Sequence, residues 1–245
     1  MRTICIFNHK GGVGKTTTAI NLAAGLSRKD KKVLLVDLDP QGNIDLALRA
    51  GVKNNFYDVM RGNSEINDVI VNIATNFDVI GSTESLAKVE YYLANQEGLA
   101  DTFKDMLSKI SGYDFMIVDC PPSLGILNQN VLSFCDELFV PVSTDYLGYD
   151  ALMKIPGIVE EISKHYGHTI KVSMIIPTLF DKRNKICKET LKAMQETFPG
   201  EVSSPIRMNS KLKEAPKHGK SIFKYAKSSS GAKDYGALVE KVIDE

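Results

Sequence analysis

The chain has 245 residues, 43% hydrophobic and 24% charged, and its thirty basic and thirty acidic side chains cancel to zero net charge. That composition belongs to a globular protein long enough to bury a real core, and it excludes a low-complexity or disordered chain. No apolar run approaches the roughly 18 residues that a membrane span needs.

Four cysteines, Cys5, Cys120, Cys135 and Cys187, lie far apart with no C-x-x-C spacing. They read as reduced small hydrophobes rather than zinc ligands or a disulfide framework. MRTICIFN enters a β-type run at once. A signal peptide and an N-terminal helix-turn-helix extension are therefore not expected, and a cytoplasmic location is.

The first predicted strand is TICIFN (3–8), followed by the glycine-rich stretch HKGGVGKTT and a helix over 15–29. Strand, loop and helix in that order are the context of a phosphate-binding loop. Gly11, Gly12 and Gly14 allow the backbone to turn successive N–H groups inward, and the helix N-terminus adds partial positive charge. Lys15 then reaches the β- and γ-phosphates, and the Thr16 hydroxyl ligates Mg²⁺. The strict pattern G-x-x-x-x-G-K-[ST] fails, because His9 stands at its first glycine and a second cation, Lys10, follows. Two lysines in one site are costly unless both face a strong anion.

Next come KVLLVDLD (32–39), FDVIGS (77–82), a helix over 99–110, and YDFMIVDC (113–120). Asp37 and Asp39 both follow the apolar part of the second strand. Asp119 ends another, where an aspartate can hold a Mg²⁺ shell. Pro121 and Pro122 stiffen the segment behind it. ELFVPVS (137–143), a helix over 149–166, IKVSMII (170–176) and a helix over 184–198 complete the alternation. Strands rich in Val, Ile and Leu that alternate with helices predict a doubly wound, mostly parallel α/β sheet with helices on both faces. No linker interrupts it, so one domain over 1–245 is the simplest organisation.

Zero net charge conceals an asymmetry. Residues 181–233 hold thirteen Lys or Arg against five Asp or Glu, a net of +8 that the remainder of the chain balances. One polyanion-facing side is the expected consequence.

KGGVGKTT (10–17), VLLVDLDPQGN (33–43), YDFMIVDCPPSLG (113–125) and EAPKHGKSIFKYAKSSSGAKDY (214–235) together resemble the ParA (Soj-type) partition ATPases of the deviant Walker A, or ParA/MinD, superfamily. The resemblance covers nearly the whole chain and implies a P-loop ATPase with ATP and Mg²⁺. It implies nucleotide contacts at Lys10, Gly11, Gly12, Val13, Gly14, Lys15, Thr16 and Thr17, with Lys10 reaching the partner's nucleotide in a sandwich dimer. Asp39 takes the water-orienting role by the same resemblance, and Thr16 and Asp119 the metal. Arg207 and Met208 align with the adenine border. Arg183 and Lys211 align with positions that bind nonspecific DNA, and Lys213, Lys217, Lys220, Lys224 and Lys227 extend that patch.

Three departures accompany the match: His9 for the usual glutamine, Ser228 and Ser230 for basic residues, and SPIRMN (204–209) where Ile-Pro-Arg-Asn is common. The implied cycle is slow hydrolysis by a nucleotide-dependent homodimer, cytoplasmic and held on the nucleoid by double-stranded DNA. A ParB-like centromere-binding protein stimulates hydrolysis and release, with no membrane involved. Two alternatives stay open: the same cycle moving another cargo over the nucleoid, and a MinD-like membrane-positioning ATPase.

Overall fold

A computed structural model describes residues 1–94 and 102–245. Seven strands, β1 (Arg2–Ile6), β2 (Val33–Asp37), β3 (Ile70–Ala74), β4 (Phe77–Ile80), β5 (Phe115–Asp119), β6 (Glu137–Ser143) and β7 (Lys171–Thr178), form one sheet. Their order is β3-β4-β2-β5-β1-β6-β7. All neighbours are parallel except β3 and β4, which pair antiparallel. The helices are α1 (Lys15–Ser27), α2 (Asn43–Leu48), α3 (Phe56–Met60), α4 (Leu86–Ala94), α5 (Thr102–Ser108), α6 (Ile126–Leu132), α7 (Tyr146–Tyr166), α8 (Lys185–Thr197), α9 (Ser210–Glu214), α10 (Ile222–Tyr225) and α11 (Ser230–Asp244).

The central strands are buried on both faces, because successive side chains point to opposite sides and each side has its own helices. Ile4, Ile6, Val33, Leu35 and Ile117 pack with α1, α2, α10 and α11. Cys5, Leu34, Val36, Met116 and Val118 pack with residues of α3 to α8. A doubly wound sheet is the result, as the alternation of strand and helix predicts.

Six of the seven strands fall where the sequence places them. β3 is the addition: an edge strand with half-buried and exposed positions, joined to β4 through a turn in which Asn76 adopts φ 58°. The helix expected over 99–110 is observed as α5, and residues 99–101 of that expectation lie outside the described residues. Cys135 lies just past the turn that follows α6, and all four cysteines are free and buried.

Strand register gathers chemistry at one edge. Asp37 pairs in register with Asp119, and Ile6 with Asp119 as well, so the C-terminal ends of β1, β2 and β5 lie side by side. In open α/β sheets this edge is where ligands bind. α1 is fixed there by close contact with α11, for a Cβ on Gly25 would come within 2.3 Å of Val239 Cγ2. Gly25→Ala gains helix propensity yet overpacks this contact. It should therefore destabilise the protein by about 1–3 kcal/mol, and an unchanged or higher melting temperature in thermal unfolding would contradict the packing.

Candidate nucleotide-binding site

β1 runs into the loop 8–14, and the loop is held from both sides. Buried Asn8 donates its amide to Pro141 O at 2.8 Å and accepts the Lys10 N–H at 2.9 Å. Thr178, ending β7, donates its hydroxyl to Val13 O at 2.7 Å. Gly12 and Gly14 adopt φ 74° and 93°, the left-handed region that a side chain resists. Gly14 is the N-cap of α1, and no side chain caps that helix. Its first-turn N–H groups are therefore available to an anion.

Lys15 is 8% exposed, and its ammonium donates to Lys10 O at 3.3 Å, across the loop. Burial pushes its pKa down, while Asp119, Cys120 and Asp39 pull the other way. Both oxygens of Asp119 are buried without a hydrogen-bond partner. Burial and then the charge of Asp37 push the Asp119 carboxyl well above the usual carboxylate range; the nearby Thr16 hydroxyl and Lys15 oppose the rise.

Asp37, equally buried, is better satisfied. Its carboxylate accepts the N–H of Asp39 at 3.0 Å and of Ile44 at 3.1 Å, which pins both ends of the segment between β2 and α2. Burial nevertheless raises its pKa to about 7. Asp39 is half-buried at the rim, with one oxygen accepting the Gln41 N–H at 3.0 Å.

Lys10 points within its own chain. Its ammonium donates to Ser143 Oγ at 3.1 Å and to Asp145 Oδ1 at 2.9 Å. Asp145 also caps α7 by accepting the Gly148 N–H at 2.8 Å. Burial would raise the Asp145 pKa, but the Ser143 hydroxyl, Lys10 and the Gly148 N–H together hold it below the usual range. His9 Nδ1 is buried without a partner, and burial lowers the ring's pKa.

The basic residues divide into two sets. Arg183 forks onto Asp181, Lys211 bonds Glu214 at 2.8 Å, and Arg207 forks onto Asp234. Lys213, Lys217, Lys220, Lys224 and Lys227 are exposed, with no ion pair among the described residues. Arg207 and Met208 line a shallow pocket with Phe180 and Arg183. Asp37, Asp145, Ser143 and Thr178 were not singled out from the sequence as parts of this site. An aspartate between a strand end and an apolar helical run is the local signal that could have marked Asp145.

A family model described as an AAA domain matches residues 1–172. The chain is 36% identical to the sporulation initiation inhibitor protein Soj of Bacillus subtilis (strain 168), over 98% of both chains. It is 34% identical to the chromosome-partitioning ATPase Soj of Treponema pallidum (strain Nichols), over 99% of this chain and 97% of that one. The chain belongs to the ParA/Soj family of partition ATPases.

As a ParA/Soj-family protein it is an ATPase. Among solved structures, apo McdA of Cyanothece matches with a TM-score of 0.87 at 25% identity, over 99% of each chain. Cobyrinic acid a,c-diamide synthase of Mycobacterium smegmatis, with a bound ATP analog and magnesium, matches with a TM-score of 0.83 at 26% identity, over 99% of this chain and 94% of that one. The residues of this ParA/Soj-family site fit such ligands. Uncapped N–H groups and Lys15 suit phosphate, and the orphaned Asp119 carboxylate beside Thr16 suits a hard, oxygen-seeking cation.

An unpartnered buried carboxylate destabilises the fold that holds it. Asp119→Asn is expected to raise the melting temperature of the ligand-free protein by a few degrees while cutting magnesium-dependent ATP hydrolysis at least about tenfold. A lower melting temperature would mean that the carboxylate contributes to stability after all.

Proposed function

We propose that this chain is a DNA-partition ATPase, one domain over 1–245, whose ATP-bound sandwich homodimer holds nonspecific double-stranded DNA. Hydrolysis, stimulated by a ParB-like centromere-binding protein, lets the DNA go. One observation carries the reading. A cavity of about 390 Å³ is bounded at once by Thr16 and Thr17 of α1, by Asn43 and Leu46 of α2, and by Lys217 and Lys220 of the basic segment. Whatever happens at the phosphates has a short path to the lysines.

In the proposed cycle the N–H groups around Gly11, Gly12, Val13, Gly14 and Thr17 cradle the phosphates and Lys15 neutralises their charge. Thr16 and Asp119 would hold Mg²⁺, which supplies further charge neutralisation at the phosphates when bound. Asp39 has a second oxygen free to orient the attacking water. Lys10 leaves Asp145 for the nucleotide of the other protomer, as an arginine finger does. Arg207 and Met208 border the base.

Phosphate contacts from Lys213, Lys217, Lys220, Lys224 and Lys227, joined by Arg183 and Lys211 once these exchange their carboxylates for phosphates, supply affinity without sequence readout. The protein would be cytoplasmic, and nucleoid-bound while it holds ATP. α11 itself packs on the core with Ala232, Tyr235, Leu238, Val239 and Val242 buried, so its apolar face is already spent within the fold.

Asp39→Ala should bind ATP, turn it over about a hundredfold more slowly or worse, and stay on random-sequence duplex DNA in ATP but not in ADP, with affinity falling steeply as salt rises. Absence of DNA binding in both nucleotide states would end the partition reading. Lys10→Ala should bind ATP and still sediment as a monomer; an ATP-dependent dimer of this variant would refute the role in trans.

A further inference from the structure

Arg49 closes α2 with φ 55°, in the left-handed region where glycine is the usual residue. Its backbone N–H donates to Asp45 O at 2.7 Å, so the cap itself is a main-chain affair that glycine would make as well. What the arginine adds is reach. Nη2 donates to the carbonyl of Lys217 at 2.9 Å, joining positions 168 residues apart.

The other side of this contact is shaped to receive it. Gly219 has φ 64°, and a Cβ there would lie 2.8 Å from Arg49 Cδ and 2.9 Å from Cγ. The arginine stem therefore lies against bare backbone, in the turn that carries Lys217 and Lys220. At the opposite end of α2, Asp37 accepts the N–H groups of Asp39 and Ile44. Gly42, the N-cap, is equally confined, since a Cβ on it would come within 2.7 Å of Ser82 O. The segment that carries Asp39 and the turn that carries two exposed lysines thus adjoin opposite ends of one six-residue helix. A strained, non-glycine conformation retained at such a junction calls for a reason beyond the cap.

We propose that Arg49 is a positioning residue that clasps the turn 215–220 to α2, so that the nucleotide state felt at Asp39 sets the placement of Lys217 and Lys220. The inference rests on the reading of the basic segment as a DNA surface. Arg49 touches neither nucleotide nor reacting atoms. Its loss should change how strongly ATP and DNA are coupled rather than whether ATP is bound.

Arg49→Gly is the informative variant, because glycine suits φ 55° and removes only the clasp. Random-sequence duplex DNA affinity is measured in ATP and in ADP across a salt series, for the wild type, Arg49→Gly and Arg49→Lys. Amide hydrogen exchange of residues 215–220 is followed with and without ATP. The expected result is an Arg49→Gly protein with an unchanged or higher melting temperature and intact ATP binding, whose ATP-to-ADP affinity ratio for DNA falls at least about tenfold. Arg49→Lys, which keeps a donor, should recover part of that ratio.

An unchanged ratio and an unchanged exchange response in Arg49→Gly would overturn the proposal. So would an equal loss of affinity in both nucleotide states with a shallower salt dependence, the mark of an ordinary phosphate contact. If the wild type itself binds DNA in neither state, the DNA reading fails. The exchange measurement then decides the clasp alone: ATP-induced protection of 215–220 that is lost in Arg49→Gly upholds it, and protection that is absent or retained removes it.

Discussion

Two carboxylates in register on neighbouring strands, Asp37 and Asp119, are buried at the same edge of the sheet, and the surrounding structure is arranged around their charge. The sheet must bring them together because parallel pairing of β2 with β5 leaves no slack, and a slip of one residue would put the two side chains on opposite faces. Asp37 is compensated by two backbone N–H groups. Asp119 is not, and of the two it is the carboxyl with unmet hydrogen-bonding capacity. Lys15 lies near enough to soften the field and is itself depressed by burial. The site therefore sets a lysine and a carboxyl side by side, each incompletely satisfied, a combination that suits phosphate and metal together better than either alone.

Glycines complete the arrangement by conformation and by closeness. At Gly14 nothing crowds the position, for the nearest atom to an added Cβ is Thr178 Cγ2 at 3.8 Å, and the backbone angle is what demands glycine. At Gly219 both reasons act at once. The cations aligned with base or DNA contacts show a similar economy: Arg183, Arg207 and Lys211 answer to carboxylates, while Lys213, Lys217, Lys220, Lys224 and Lys227 stand in solvent. The exposed Arg183–Asp181 and Lys211–Glu214 pairs are screened by water and contribute little to stability, so a phosphate can displace the carboxylate at small cost.

Much of the architecture was legible because it is written locally. Nearly continuous Val, Ile and Leu marks a strand buried on both faces, and each such run proved to be one. β3 escaped because VIVNIA is an edge, half in solvent, and owes its state to pairing with β4 rather than to its own pattern. The phosphate loop and Asp119 were legible for the same local reason, as glycines between a strand and a helix and an aspartate at a strand end. Lys10 was conspicuous as a surplus cation, but its resting partner lies 135 residues away and follows from the order of strands alone. The Arg207–Asp234 fork and the Arg49–Lys217 contact are tertiary in the same sense. The Lys211–Glu214 pair, three residues apart, was within reach of helical spacing.

The N-cap at Asp145 has one more consequence. Because this carboxylate is shared between Lys10 and the first turn of α7, departure of the lysine does not strand a naked charge; the Gly148 N–H and the positive end of a 21-residue helix still hold it. The lysine therefore rests in a partly open berth, its side chain 27% exposed and that of Asp145 48%. In the proposed cycle, where the lysine leaves and returns, such a resting place serves better than a deep one, since a catch that gripped harder would make one direction irreversible.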